Sequence, residues 1–323
     1  MHEYNRYMKI LNLLYSLLSA LLTLSFILLI GFIIYISIPI KTTQTVTLPR
    51  GSITKTINHL KKQGYDLNKL DAYIIDYLLN QPKSGTLTIG EGSMSRIGFL
   101  QKLSSAKEAV NIITLIPGET RTLFLANMAK KYHLNPKKLE QSYSKFSSYK
   151  EAGIIPDTYH VTKNSSEESI IKTLVEQSEK RYKKMAIEAF QKYDKTAWLR
   201  VLTIASIVQK ESANNEEMPI VASVIYNRLK IDMALQMDGT LNYGKYSHVK
   251  VTPKRIRTDK SQFNTYAHKG LPPYPICSVS VPAINATLHP KKTNYLYFMR
   301  NKEGVHDFTH SYQQHLKNID QVR

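Results

Sequence analysis

The sequence predicts an α+β protein carried on a single N-terminal membrane span, with a small subdomain followed by a larger mixed α/β domain. Three observations point there. Lys9 and Lys41 bracket 31 residues without a charge, Ile10 to Ile40, where a spanning helix needs only about 20. Beyond the span, short strand-like runs stand among longer amphipathic ones, with no internal repeat or low-complexity segment. A nearly uncharged helical stretch, Trp198 to Val208, then ends in a lone acid, Glu211.

The apolar run carries Leu, Ile, Phe and Tyr throughout, and Pro39 marks its exit. It lacks the small-residue cleavage site of a signal peptide and is too long for one, so it reads as a retained anchor. Arg6 and Lys9 precede it, while Lys41, Arg50 and Lys55 follow. That balance does not favour the N-terminus inside, nor does it exclude it, because long domains translocate largely regardless of charge. Residue chemistry alone leaves the orientation open.

After the span, residues 41–50 read as a polar linker entering a Thr/Val-rich strand. Gly51-Ser52 opens a helix with Ile53, Ile57 and Leu60 on one face, closed by Gly64. A second helix spans about Asn68–Leu79, Thr86–Ile89 reads as a strand, and Ser93 is the expected cap of a helix holding Ile97, Leu100 and Leu103. Asn111–Ile116 is another strand, ended by the turn signal Pro117-Gly118. Helices follow at Arg121–Tyr132 and Pro136–Phe146, then a turn and short strand over Glu151–Tyr159. A long charged helix is expected over Ser166–Tyr193, and others over Trp198–Glu211 and Pro219–Lys230. From Leu235 to Ala283 the chain is rich in Gly, Pro, Asn and Thr, a long loop of the functional kind. Tyr295–Met299 reads as a buried strand and His310–Val322 as a closing helix.

Composition excludes several classes. Lys and Arg number 44 against 25 Asp and Glu, a net charge of +19 with a pI near 9.7, which suits anionic surfaces. The basic residues are dispersed, and no zinc-finger, RNP or basic-zipper pattern is present, so nucleic acid is not an expected partner. A single cysteine, Cys277, excludes an internal disulfide and a cysteine zinc site. Ten histidines show no HExxH spacing, and neither a P-loop nor GxGxxG occurs. No metal and no cofactor are expected.

Glu211 follows Ile204, Ile207 and Val208 on one helix. A carboxyl in an apolar setting holds its proton towards neutral pH and can act as a general acid. Downstream lie Leu235-Gln-Met-Asp-Gly-Thr240, Asn264-Thr-Tyr266 and Gly270-Leu-Pro-Pro273, supplying amide, hydroxyl and phenol groups. One acid among such groups suits cleavage of a sugar polymer. Gln236, Asn264 and Tyr266 can bond hydroxyls and N-acetyl groups, and a tyrosine ring can pack on a sugar face. Asp238 either orients sugar or bonds its own turn. Asn227 and Arg228 are a supporting pair or a surface one.

Taken in order, Ala205–Glu211, Val221-Ala-Ser-Val-Ile-Tyr-Asn-Arg-Leu229, Leu235–Thr240, Tyr243-Gly244, Asn264–Tyr266 and Gly270–Ile276 closely resemble the endolytic murein transglycosylases of bacteria, the YceG-like family. Glu151…Pro156-Asp-Thr-Tyr159 is similar too. The resemblance implies a short cytoplasmic tail (1–9), an anchor (10–40) in the inner membrane, a LysM-like subdomain (43–110) and a catalytic transglycosylase domain (111–323) in the periplasm. It implies Glu211 as the catalytic acid, with Gln236, Asp238, Thr240, Tyr243, Asn264, Thr265 and Tyr266 against the substrate. That substrate would be nascent peptidoglycan, cut between N-acetylmuramic acid and N-acetylglucosamine to leave a 1,6-anhydro end, terminating strand elongation. The implied partners are glycan strands, the membrane and peptidoglycan synthases of the penicillin-binding class. The chain departs from the family pattern at Asp238-Gly239-Thr240, commonly Asp-Pro-Thr, at Pro117-Gly118-Glu119, commonly Pro-Glu-Gly, and at Gln209, where many members carry Glu.

Two rival readings remain: a non-catalytic peptidoglycan-binding scaffold, and a lysozyme-type hydrolase with water as acceptor. A scaffold has no use for an acid set among apolar neighbours, and the chemistry of the product end separates lysis from hydrolysis.

Overall fold

A computed structural model describes residues 2–322; Met1 of the expected 1–9 tail and Arg323 of the expected 111–323 domain lie outside the described residues. The chain divides into two compact units, one of residues 1–111 with 162–164, the other of 112–161 with 165–323.

The first unit begins with α1 (His2–Ser37), whose apolar stretch Tyr7–Ser37 is long enough to cross a membrane. Strands β1 (Pro39–Thr42) and β2 (Thr45–Leu48), helices α2 (Ile53–Lys62) and α3 (Lys69–Leu78), strands β3 (Gly85–Thr88) and β4 (Gly92–Ser95), and helix α4 (Arg96–Ser105) follow. Two antiparallel pairs form, β1 with β4 and β2 with β3, the second nested inside the first. The linker expected over 41–50 therefore holds the end of β1 and all of β2. The helix cap expected at Ser93 falls instead on Ser95, whose Oγ accepts from the Gly98 N–H, because Ser93 is paired with Lys41 inside β4.

Leu60, Ile75, Leu87, Phe99 and Leu103 fill the core of this unit, and Phe32, Tyr35 and Ile36 of α1 pack against it. Inside it Arg96 and Asp71, 1% and 0% exposed, pair at 2.9 Å. The Arg96 guanidinium also lies 4.4 Å from the centre of the Tyr35 ring and donates to its hydroxyl. A buried charge pair is tolerated only when both members are so bonded. Here the bonds fasten the end of α1 to α3 and α4.

The second unit takes up the end of β5 (Val110–Thr114), which pairs with β6 (Thr158–Thr162) across helices α5 (Arg121–Tyr132) and α6 (Pro136–Phe146). Next come α7 (Glu167–Phe190), α8 (Lys195–Glu211) and α9 (Met218–Lys230). Two 3-10 turns (Asp238–Leu241 and Gly244–Tyr246), α10 (Pro253–Thr258), α11 (Val281–Leu288), the antiparallel pair β7 (Tyr297–Arg300) and β8 (His306–Thr309), and α12 (Tyr312–Val322) complete it.

Helix α8 is the axis of this unit. All of Val201–Val208 is buried, against α9, α11 and the first 3-10 turn. A helix buried on every side cannot carry charges, which accounts for its unusual composition. Each fully buried Leu, Ile or Val there contributes roughly 1.5–3 kcal/mol of transfer free energy. The stretch expected as one loop over 235–283 holds two 3-10 turns, α10 and the start of α11. The strand expected at Tyr295–Met299 starts at Tyr297 and is half-buried, one member of a two-stranded pair with β8.

Candidate active site

The last three residues of α8 each reach a different loop. The Gln209 side-chain oxygen accepts from the Ser280 N–H at 3.1 Å. Lys210 Nζ donates to the Ser247 carbonyl at 2.6 Å. Glu211 Oε1 accepts from the Gly239 N–H at 2.6 Å. The buried helix thus ends in three polar side chains that gather the loops carrying the remaining motifs.

Glu211 is half-buried, and its carboxyl pKa is pushed up to about 7. Desolvation is the main cause, and the nearby Asp238 charge adds to it; the Gly239 N–H and the Arg228 charge act in the opposite direction. Its place at a helix C-terminus, the negative end of the dipole, also disfavours the ionised form. Near neutral pH the group is therefore divided between acid and base forms, as a proton-exchanging residue requires.

Gly239 is dictated by this contact. A Cβ there would fall 2.6 Å from Lys210 Cβ and 2.7 Å from Glu211 Oε1. At Asp238-Gly239-Thr240 the glycine thus goes with a close approach of the 3-10 turn to the helix end.

The structure separates the expected substrate contacts into two groups. Gln236, Asp238 and Tyr266 are exposed, and the Tyr266 hydroxyl donates to Asp238 Oδ1 at 2.8 Å. Burial and the Asp238 carboxylate push the Tyr266 phenol up, so it remains a donor. Tyr243 is half-buried, stacked on Phe263 with centroids 4.3 Å apart and donating to Asp259. Thr240, Asn264 and Thr265, by contrast, are 0%, 1% and 1% exposed. Thr240 Oγ1 donates to the Met237 carbonyl and lies 3.0 Å from Thr265 Oγ1, which accepts from the Met237 N–H. Asn264 donates to the Ile256 and Asp259 carbonyls and accepts from the Tyr266 N–H. These three are buried and bonded inward, beneath the exposed rim.

Several supporting residues escaped the sequence reading. Thr120 donates from its N–H to Ser247 Oγ and from Oγ1 to the Gly244 carbonyl, joining Lys210 in clamping the loop that presents Tyr243. Arg255 bonds the Leu241 carbonyl, its guanidinium 3.8 Å from the centre of the Tyr246 ring. Of the pair the sequence left as supporting or surface, Arg228 is buried, donating to the Leu296 and Leu235 carbonyls, while Asn227 holds the Thr293 and Tyr295 carbonyls. The one available signal was Lys210 itself, a lysine at the end of an otherwise buried helix. No cluster of three metal-ligating residues occurs among the described residues. A surface hollow of about 690 Å³, lined in part by Ile220, Lys292, Thr293, His306 and Phe308, contains none of the Glu211 group.

The YceG-like family matches residues 46–321. The chain is 36% identical over 169 residues to an endolytic murein transglycosylase of Bacillus subtilis (strain 168), covering 52% of this chain and 46% of that protein. It is 29% identical over 256 residues to the endolytic murein transglycosylase of Streptococcus pneumoniae (strain D39), covering 74% and 45%. The chain thus spans about half the length of these relatives. A crystal structure of a YceG-like protein from Listeria monocytogenes superposes with a TM-score of 0.56 at 25% identity, covering 86% of this chain and 99% of that one. With a match over most of its length, this chain belongs to the YceG-like family.

Proposed function

We propose that the chain is a membrane-anchored endolytic peptidoglycan lytic transglycosylase with Glu211 as its acid and base. The observation that carries this reading is the Glu211 carboxyl at the end of α8, half-buried, bonded through one oxygen and pushed up to about 7. Protonated, it donates to the glycosidic oxygen as the bond to the muramic anomeric carbon breaks. Ionised, it takes the proton from the muramic C6 hydroxyl, whose oxygen closes on the same carbon and leaves a 1,6-anhydro end. One carboxyl serves both half-steps. The exposed rim of Gln236, Asp238 and Tyr266, with Tyr243 behind it, meets the sugar, and an open rim accommodates the interior of a polymer. Residues 43–110 act as a LysM-like wall-binding subdomain and 111–323 as the catalytic domain. The apolar helix holds both on the wall side of the inner membrane, beside the synthases that extend the strands.

A second reading draws on Asp238, whose charge acts on Glu211: a second carboxylate is what a hydrolase uses to place water or to act as nucleophile. Mass spectrometry of muropeptides released from purified glycan strands decides. Anhydro ends that disappear in Glu211→Gln support the lytic reading, whereas reducing ends from the native protein replace it with hydrolysis.

A further inference from the structure

We infer that Gly239 is a positioning residue: its backbone N–H fixes the Glu211 carboxyl so that Oε2 is the oxygen that exchanges the proton with substrate. The inference rests on Glu211 as the acid. Oε1 already accepts the Gly239 N–H at 2.6 Å, a short charge-assisted contact. A proton on Oε1 would face that N–H, so the acid form carries its proton on Oε2. Both half-steps then run through one oxygen held at one angle.

Three observations support the assignment. The donor is a backbone group at the start of a 3-10 turn, and it cannot swing away as a side chain can. The turn is itself secured from below, since Thr240 donates to the Met237 carbonyl at 2.7 Å and the Met237 N–H donates to Thr265 Oγ1 at 3.1 Å. Only glycine lets the turn come this close, because a Cβ would stand 2.6 Å from Lys210 Cβ. Lys210 is held in turn by its bond to Ser247. The contact is thus built from both sides, and a carboxyl with free torsions would have to find the reactive angle at each turnover.

Replacing residue 239 by glycolic acid in cell-free translation of the full chain exchanges the N–H for an ester oxygen and adds no Cβ. Gly239→Ala keeps the N–H but pushes the turn off the helix. The inference expects the ester to retain the native circular dichroism and melting temperature and to lose about ten-fold or more in kcat, with KM within about two-fold. Its alkaline limb should rise by about one pH unit, since the lost bond favoured the ionised form. The alanine variant should lose kcat as well. A folded ester or alanine variant with native kcat and an unmoved limb overturns the positioning role. Full activity of Glu211→Gln in the same assay overturns the underlying assignment instead, so the two failures are distinguishable.

Discussion

Two carboxyl groups in the second unit, Glu211 and Glu151, are pushed up to about 7 by the same cause, desolvation. Their surroundings differ. Glu151 is buried near the N-terminus of α5, where its Oε1 accepts from the N–H of Arg121 at 2.8 Å and of Ala152. It borders a void of only about 10 Å³, walled by Leu115, Phe124 and Tyr143. Glu211 stands at the C-terminus of α8 with one backbone donor and partial exposure beside Asp238 and Tyr266. The shifted proton affinity is common to both and so does not identify the chemistry. What distinguishes them is access, together with which oxygen is left free.

The widest separation between the two should be in turnover. Glu211→Gln is near-isosteric and removes proton exchange, so release of muropeptides should fall by about 10²–10⁴-fold. Glu151→Gln, still able to accept the Arg121 N–H, should change that rate by less than about three-fold. Equal losses in the two variants would erase the distinction.

Stability should respond to the same shift at either carboxyl, and Glu151 reports it without touching turnover. Glu151 ionises near 4.5 when unfolded and near 7 when folded. Between those values the unfolded chain binds fewer protons, so this group makes the protein less stable as pH rises through the window. Glu151→Gln should cancel that fall, gaining about 3 kcal/mol on the native protein between pH 5 and 8. Melting followed through Trp198 fluorescence at the two pH values measures it, and a constant difference between variant and native protein would contradict the burial argument.

A finer probe is the charge beside Glu211. Asp238 raises the Glu211 pKa, so Asp238→Asn should move the alkaline limb of the rate profile down by roughly half a pH unit. An unmoved limb would make Asp238 a turn residue like those beneath it. The smallest effect belongs to Tyr266→Phe, which removes the donor to Asp238. It should weaken substrate binding by about three- to ten-fold in KM, through the loss of one hydrogen bond on the rim.

Much of this was legible in residue order, for identifiable reasons. An uncharged run ending in Glu211 announces a buried helix with an acid at its tip, and Ile53, Ile57 and Leu60 announce the inward face of α2. What escaped was set by tertiary contact. Ser93 and Ser95 are both serines able to cap, and only the pairing of β1 with β4 selects the second. Val281–Leu288 is apolar but short, and its helical form depends on packing against α8 and α9. Thr240, Asn264 and Thr265 are polar residues in an exposed-looking segment. That they turn inward follows from bonds to carbonyls and amides scattered over thirty residues, which no local spacing records.

The attachment of α1 to the first unit has a mechanical corollary. At 1.5 Å per residue, the 31 apolar residues of the span extend about 46 Å, while the hydrocarbon layer takes up about 30 Å. The surplus is about ten residues, enough to include Phe32, Tyr35 and Ile36, which the first unit claims for its own core. In the proposed anchoring role the helix is a stalk whose C-terminal end is already mortised into the first unit. Height above the lipid would, in that role, be counted in helical residues: excising one turn from the middle of the stalk would lower the first unit by about 5 Å and rotate it little.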